Sequence, residues 1–107
     1  MLSIKNPVFR YIRDNHTVYY ISKKNNCFGK CEYFTVPVTL QQQHVNCLVG
    51  YTNKTSAETT LSKLTEKNAE VLDTSCKDLA YISGILKVPL VVLMDTETDT
   101  IFLKNVN

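Results

Sequence analysis

Two periodicities divide this chain. In CEYFTVPVTL (31–40), Phe34, Val36, Val38 and Leu40 fall on one face of an extended segment and Tyr33, Thr35, Pro37 and Thr39 on the other. That period of two is the mark of a strand with one buried face. VNCLVGY (45–51) repeats it with Val45, Cys47, Val49 and Tyr51 on one side, and QQQ (41–43) reads as the turn between the two strands, centred on Gln42. Upstream, PVFRYIR (7–13) and HTVYYIS (16–22) are rich in β-branched and aromatic residues and flank the turn dipeptide Asp14-Asn15, so they read as a hairpin. KKNNCFGK (23–30) is a polar loop. Pro37 donates no backbone hydrogen bond and pushes its strand toward a sheet edge or a bulge.

From residue 55 the pattern becomes helical. Thr55-Ser-Ala-Glu58 is a capping-box signature, and Ala57, Leu61 and Leu64 follow on one stripe of a helix running to about Asn68. AEVLD (69–73) is a short strand. Ser75-Cys-Lys-Asp78 offers a second N-cap, after which Leu79, Ile82 and Leu86 line a helix ending near Lys87. VPLVVLM (88–94) is apolar throughout, as in a strand covered on both faces. DTETDT (95–100) is an acidic turn and IFLK (101–104) pairs back. The predicted fold is α+β: one domain over residues 1–107, a mixed β-sheet with N-terminal antiparallel hairpins followed by a βαβαββ unit, with two helices. The strands at 45–51, 69–73 and 88–94 are joined by parallel crossovers, right-handed by the usual rule. The last of them is central, with the N-terminal strands and the final hairpin toward the edges.

Composition changes this picture little. At 107 residues, 44% hydrophobic and 21% charged, the chain suits a single folded domain and not a disordered one. A net charge of +2 points to neither nucleic acid nor membrane. Its distribution says more. Residues 1–53 carry six Lys/Arg against two acidic residues, whereas 54–107 carry six Lys against eight Asp/Glu, and eight of the ten aromatics lie in the first half. Lys outnumbers Arg ten to two, a bias of AT-rich coding genomes such as those of many viruses. The N-terminal residues lack the apolar core of a signal peptide, and no run approaches a membrane span. The expectation is an intracellular protein of cytoplasm or nucleus, or one incorporated in a virus particle, with its four cysteines reduced and its two N-x-T sequons unused.

LAYISGILKVPLVVLMDTETDTIFLK (79–104) resembles the later half of a thioredoxin-like domain, where a helix is followed by a Val-Pro step, a buried strand and a hairpin. The resemblance implies a scaffold in which Pro89 is cis. It implies no redox chemistry, because Asn53-Lys-Thr-Ser56 stands where that family carries two cysteines flanking two residues.

Three chemistries compete for a site. Cys27-x3-Cys31 with His44-x2-Cys47 supplies the ligand types of a Cys3His zinc centre. A hairpin about Gln42 works against it: Cys47 falls opposite Pro37, roughly 20 Å of strand from Cys31, and His44 and Cys47 point to opposite faces. The turn reading of 25–34 is preferred, and no cofactor is expected. Catalysis finds two histidines, His16 and His44, no phosphate loop and no nucleophile motif, so no enzyme and no small-molecule substrate are indicated. Tyr11, Tyr19, Tyr20 and Tyr33 beside Arg10, Arg13, Lys23 and Lys24 can stack single-stranded bases or anchor a protein interface. Because Tyr19 and Tyr20 must face opposite ways, the favoured reading is a non-enzymatic protein–protein module or structural subunit that binds a protein partner or itself. A module for single-stranded nucleic acid is the alternative.

Overall fold

The alternating segments of the sequence become strands of one mixed sheet. The computed structural model describes residues 2–4, 8–23, 32–33, 35–40, 42–64, 68–94 and 100–104. In chain order the elements are β1 (Leu2–Ile4), β2 (Val8–Ile12), β3 (Thr17–Lys23), β4 (Glu32–Tyr33), β5 (Thr35–Leu40), β6 (Gln43–Tyr51), α1 (Lys54–Lys63), β7 (Ala69–Ser75), α2 (Cys76–Leu86), β8 (Leu90–Leu93) and β9 (Thr100–Lys104). The α+β class holds.

β6 organises the sheet. Its nine residues are long enough to pair with two different strands along one side, β5 beside its first half and β3 beside Gly50 and Tyr51. β8 runs parallel to it on the other side, then β9 antiparallel to β8, then β2 parallel to β9. β3 carries β7 on its far side, from Thr17↔Ser75 to Lys23↔Ala69. The strand order is therefore β7-β3-β6-β8-β9-β2, with β5 and β1 branching from β6. β6, β7 and β8 are mutually parallel, as the two crossovers require. The crossovers move in opposite directions across the sheet and lie on opposite faces, so they share one hand.

Those faces hold two cores. Ala57 of α1 packs with Val38, Cys47, Val49, Tyr51, Val91 and Leu93. Cys76 and Leu79 of α2 pack with Ile12, Val18, Tyr20, Leu48 and Val92. Val91 and Leu93 face α1 while Val92 faces α2, which accounts for the unbroken apolar run there.

Several expectations need correction. The strands at 7–13 and 16–22 do not form a hairpin. Asp14-Asn15 is a turn, closed by His16 N–H donating to the Arg13 carbonyl at 3.1 Å. Its other carbonyls are claimed by α2: Cys76 N–H donates to His16 O and Lys77 N–H to Asp14 O, both at 2.9 Å. The first turn of a helix has amides without internal partners, and satisfying them here seats the turn on α2. β2 then leaves for β9, with β6, β8 and β9 separating it from β3. Consequently β9 is not an edge; β2 is.

The expected strand 31–40 is split. Glu32 and Tyr33 pair with Lys23 and Ser22 of β3, and the chain then changes partner to β6. The β5–β6 turn is tighter than predicted, with Leu40 opposite Gln43 and Gln42 left-handed at φ 69°. That moves the register by one, so Cys47 opposes Val36 and Pro37 opposes Asn46. Helix α1 starts at Asn53, whose Oδ1 accepts the Thr55 N–H at 2.7 Å, so the Thr55–Glu58 box is not its cap. It ends at Lys63 with Leu64 as C-cap, not at Asn68. β7 runs two residues further than AEVLD, to Ser75. Among the described residues there is no cis peptide bond, so Pro89 is trans, against the implication of the thioredoxin-like resemblance.

Candidate functional site: the open edge at β2

Every residue of β2 but its last is exposed. Ile12 is buried in the α2-side core, so strand alternation puts Val8 and Arg10 on that side and Phe9 and Tyr11 on the α1 side. Phe9 is 52% exposed, Tyr11 75% and Val8 49%. Arg10 and Arg13 are exposed as well. One edge of β2 is bonded to β9; among the described residues the other pairs with nothing. The result is a bare strand edge with two aromatics, a valine and two arginines around it.

A cleft of about 380 Å³ adjoins this edge, lined by Tyr11, Ile12, Arg13, His16, Thr52 and Met94. It forms where the turn seated on α2 meets the chain leaving β6 and β8. Its polar groups are a guanidinium, an imidazole, a phenol and a hydroxyl; among the described residues no carboxylate or thiol lines it. Asp14 Oδ1, next in the turn, is buried without a hydrogen-bond partner.

The structure separates the aromatic and basic residues that the sequence places close together. Arg10, Tyr11 and Arg13 belong to the β2 edge. Tyr20 is 7% exposed and lies in the α2-side core, while Tyr19 is half-buried against the α1-side core. Lys23 ends β3 and is half-buried. Tyr33 pairs its backbone with Ser22; Lys24 lies outside the described residues. With three strands between β2 and β3, this set does not make one stacking platform.

The metal reading finds no convergence among the described residues. His44 is exposed on β6, its Nδ1 3.0 Å from the Thr39 hydroxyl across the hairpin. Cys47 is 4% exposed, its Sγ 3.7 Å from the Val45 carbonyl, with its thiol pKa raised by burial. The two point to opposite faces, as their odd spacing requires. Cys27 and Cys31 lie outside the described residues, and among those described no three His, Cys, Asp or Glu side chains gather.

The cleft, with Thr52 and Met94, was not legible in the sequence. It depends on the turn at 14–15 docking on α2, a contact between residues some sixty positions apart. No family model matches the chain, no curated protein matches it, and no solved structure matches it. Among the described residues no helix is long and apolar enough to cross a membrane.

Proposed function

We propose that this chain is a non-enzymatic protein-interaction module, a small structural subunit, that makes its contact through the β2 edge. The observation that carries the reading is the exposure of Phe9 and Tyr11, at 52% and 75%, on a strand whose second edge pairs with nothing among the described residues. Natural edge strands are commonly protected by charge, proline or brevity. This one presents aromatic and arginine side chains, the types that dominate interface energetics. An extended partner segment adding to the sheet would gain main-chain hydrogen bonds from the edge and specificity from alternate side chains. The adjoining cleft has room for one large partner side chain, with Arg13 and His16 favouring an acidic or hydrogen-bonding one.

The test is a Phe9→Ser/Tyr11→Ser variant, compared with the wild type for the size of the assembly each forms in native extracts of its producing cells. Neither side chain is in a core, so the circular dichroism and melting curve should stay the same. The wild type is expected above monomer mass and insensitive to nuclease, and the variant at monomer mass. An assembly that nuclease dissolves would replace this reading with single-stranded nucleic-acid binding by Tyr11, Arg10 and Arg13.

A further inference from the structure

The sheet has a second long open edge. β7 is bonded to β3 on one side and, among the described residues, to nothing on the other. Along its length no residue is buried: Asp73 is exposed and the other six are half-buried. β7 stands at the opposite end of the strand order from β2. Its charges are Glu70 and Asp73, whereas those at β2 are Arg10 and Arg13.

Resting on the reading of β2 as the contact edge, we propose that its partner is the β7 edge of a second copy, so that copies join head to tail into a continuous sheet. Direction and face both allow it. Within one copy β2 runs antiparallel to β7, so extending the sheet by repetition brings the β2 of one copy antiparallel to the β7 of the next. On β7, Leu72 faces the α2-side core and Val71 the α1-side core. Glu70 therefore shares the α2 side with Arg10. Setting Arg10 opposite Glu70 places Phe9 opposite Val71 and Val8 opposite Leu72. One register thus joins a charge pair to two apolar cross-strand pairs, each of the kind that stabilises antiparallel ladders. The exposed Val8 and Phe9 and the half-buried Leu72 and Val71 become one another's cover.

The contact is heterologous, since different surfaces meet, and with the two edges at opposite ends of the sheet it does not close on itself. The product is an open filament. Successive β7 strands lie six strand spacings apart, so the rise per copy is roughly 29 Å at ~4.8 Å per spacing.

Sedimentation velocity on the purified chain over a wide concentration range tests this with two charge reversals, Arg10→Glu and Glu70→Arg. The wild type should form a ladder of species beyond the dimer. Each variant alone sets like charges face to face and should associate roughly tenfold more weakly. An equimolar mixture restores opposite charges at every contact and should recover the wild-type ladder, a rescue that misfolded variants cannot give. A wild type that stays monomeric at all concentrations overturns the proposal, and leaves the β2 edge to a different partner, judged by the Phe9→Ser/Tyr11→Ser comparison. A closed dimer weakened by Arg10→Glu but untouched by Glu70→Arg also overturns it, because the contact would then be β2 on β2.

Discussion

At the scale of single residues, Gly50 is the position with least freedom. A Cβ there would sit 2.9 Å from Leu79 Cδ2 and 3.5 Å from Val92 Cγ2. Both neighbours are fully buried, so neither yields without disturbing the packing of α2. Gly50→Ala should cost about 1–3 kcal/mol in denaturant unfolding. In a Leu79→Ala background, itself worth a loss of about 2–5 kcal/mol, the added cost should largely vanish, because the obstructing methyl is gone. Equal costs in both backgrounds would mean that α2 does not pack on Gly50. The sequence marks Gly50 only as a glycine in a strand; the helix that requires it arrives from about thirty residues away.

Cys47 and Tyr51, on the α1 side of the same strand, make a titration prediction. Burial raises both pKa values above their ordinary 9.0 and 10.0; for Tyr51 the Thr60 hydroxyl, 3.0 Å from its own, partly offsets the rise. The folded state therefore holds these protons more tightly than the unfolded chain does. Their contribution is fully present below the unfolded values and is lost as pH rises through the folded ones. The unfolding midpoint should fall on going alkaline of about pH 9, and a thiol reagent should modify Cys47 slowly until the protein unfolds. A midpoint flat across that range would contradict the burial of both groups.

At the scale of elements, the caps show what local sequence can and cannot specify. Ser75 caps α2 as its spacing predicts, its Oγ accepting the Asp78 N–H at 3.1 Å. For α1, two candidates sit two residues apart and local rules alone do not choose between them. Asn53 prevails because it lies two residues past the end of β6, where the backbone is still extended, at φ −124° and ψ 130°. Asn53→Ala should cost about 1 kcal/mol, more than Thr55→Ala, as read from paired thermal melts. The C-terminus of α2 holds a non-glycine residue in the left-handed region. Lys87 is left-handed at φ 58°, with Val88 N–H donating to Ser83 O at 3.1 Å and its own N–H to Gly84 O at 3.3 Å. This is a Schellman arrangement with lysine where glycine is usual. Lys87→Gly should raise stability by up to about 1 kcal/mol, and a loss instead would show that the lysine side chain contributes there.

At the scale of the whole molecule, most strands were legible, though not β1, and strand pairing only partly so. β5, β6 and β8 follow from periodicity, and Val38, Cys47, Val49 and Tyr51 are buried on the predicted side, because alternation depends only on neighbouring residues; the second half of β6 is also buried on its other face, with Leu48 in the α2-side core. The 7–22 hairpin failed because two strands flanking a turn can leave it in different directions. Here α2 requires the turn's carbonyls, and the sheet places β2 at one end. The basic and acidic halves of the sequence have a counterpart in the two open edges, arginines at β2 and carboxylates at β7. Alternation alone requires adjacent Tyr19 and Tyr20 to face opposite ways; in the structure Tyr20 is buried, Tyr19 is half-buried and Tyr11 is exposed.

The interaction reading depends above all on β2 being where this chain touches its partner. A photo-crosslinking amino acid at position 11, with position 81 as a control equally exposed on α2, tests it most directly. Irradiation in the producing cells should yield a discrete protein adduct from position 11, none from position 81, and none from position 11 once Phe9 is changed to serine. Adducts from both positions alike, or from neither, would contradict the claim.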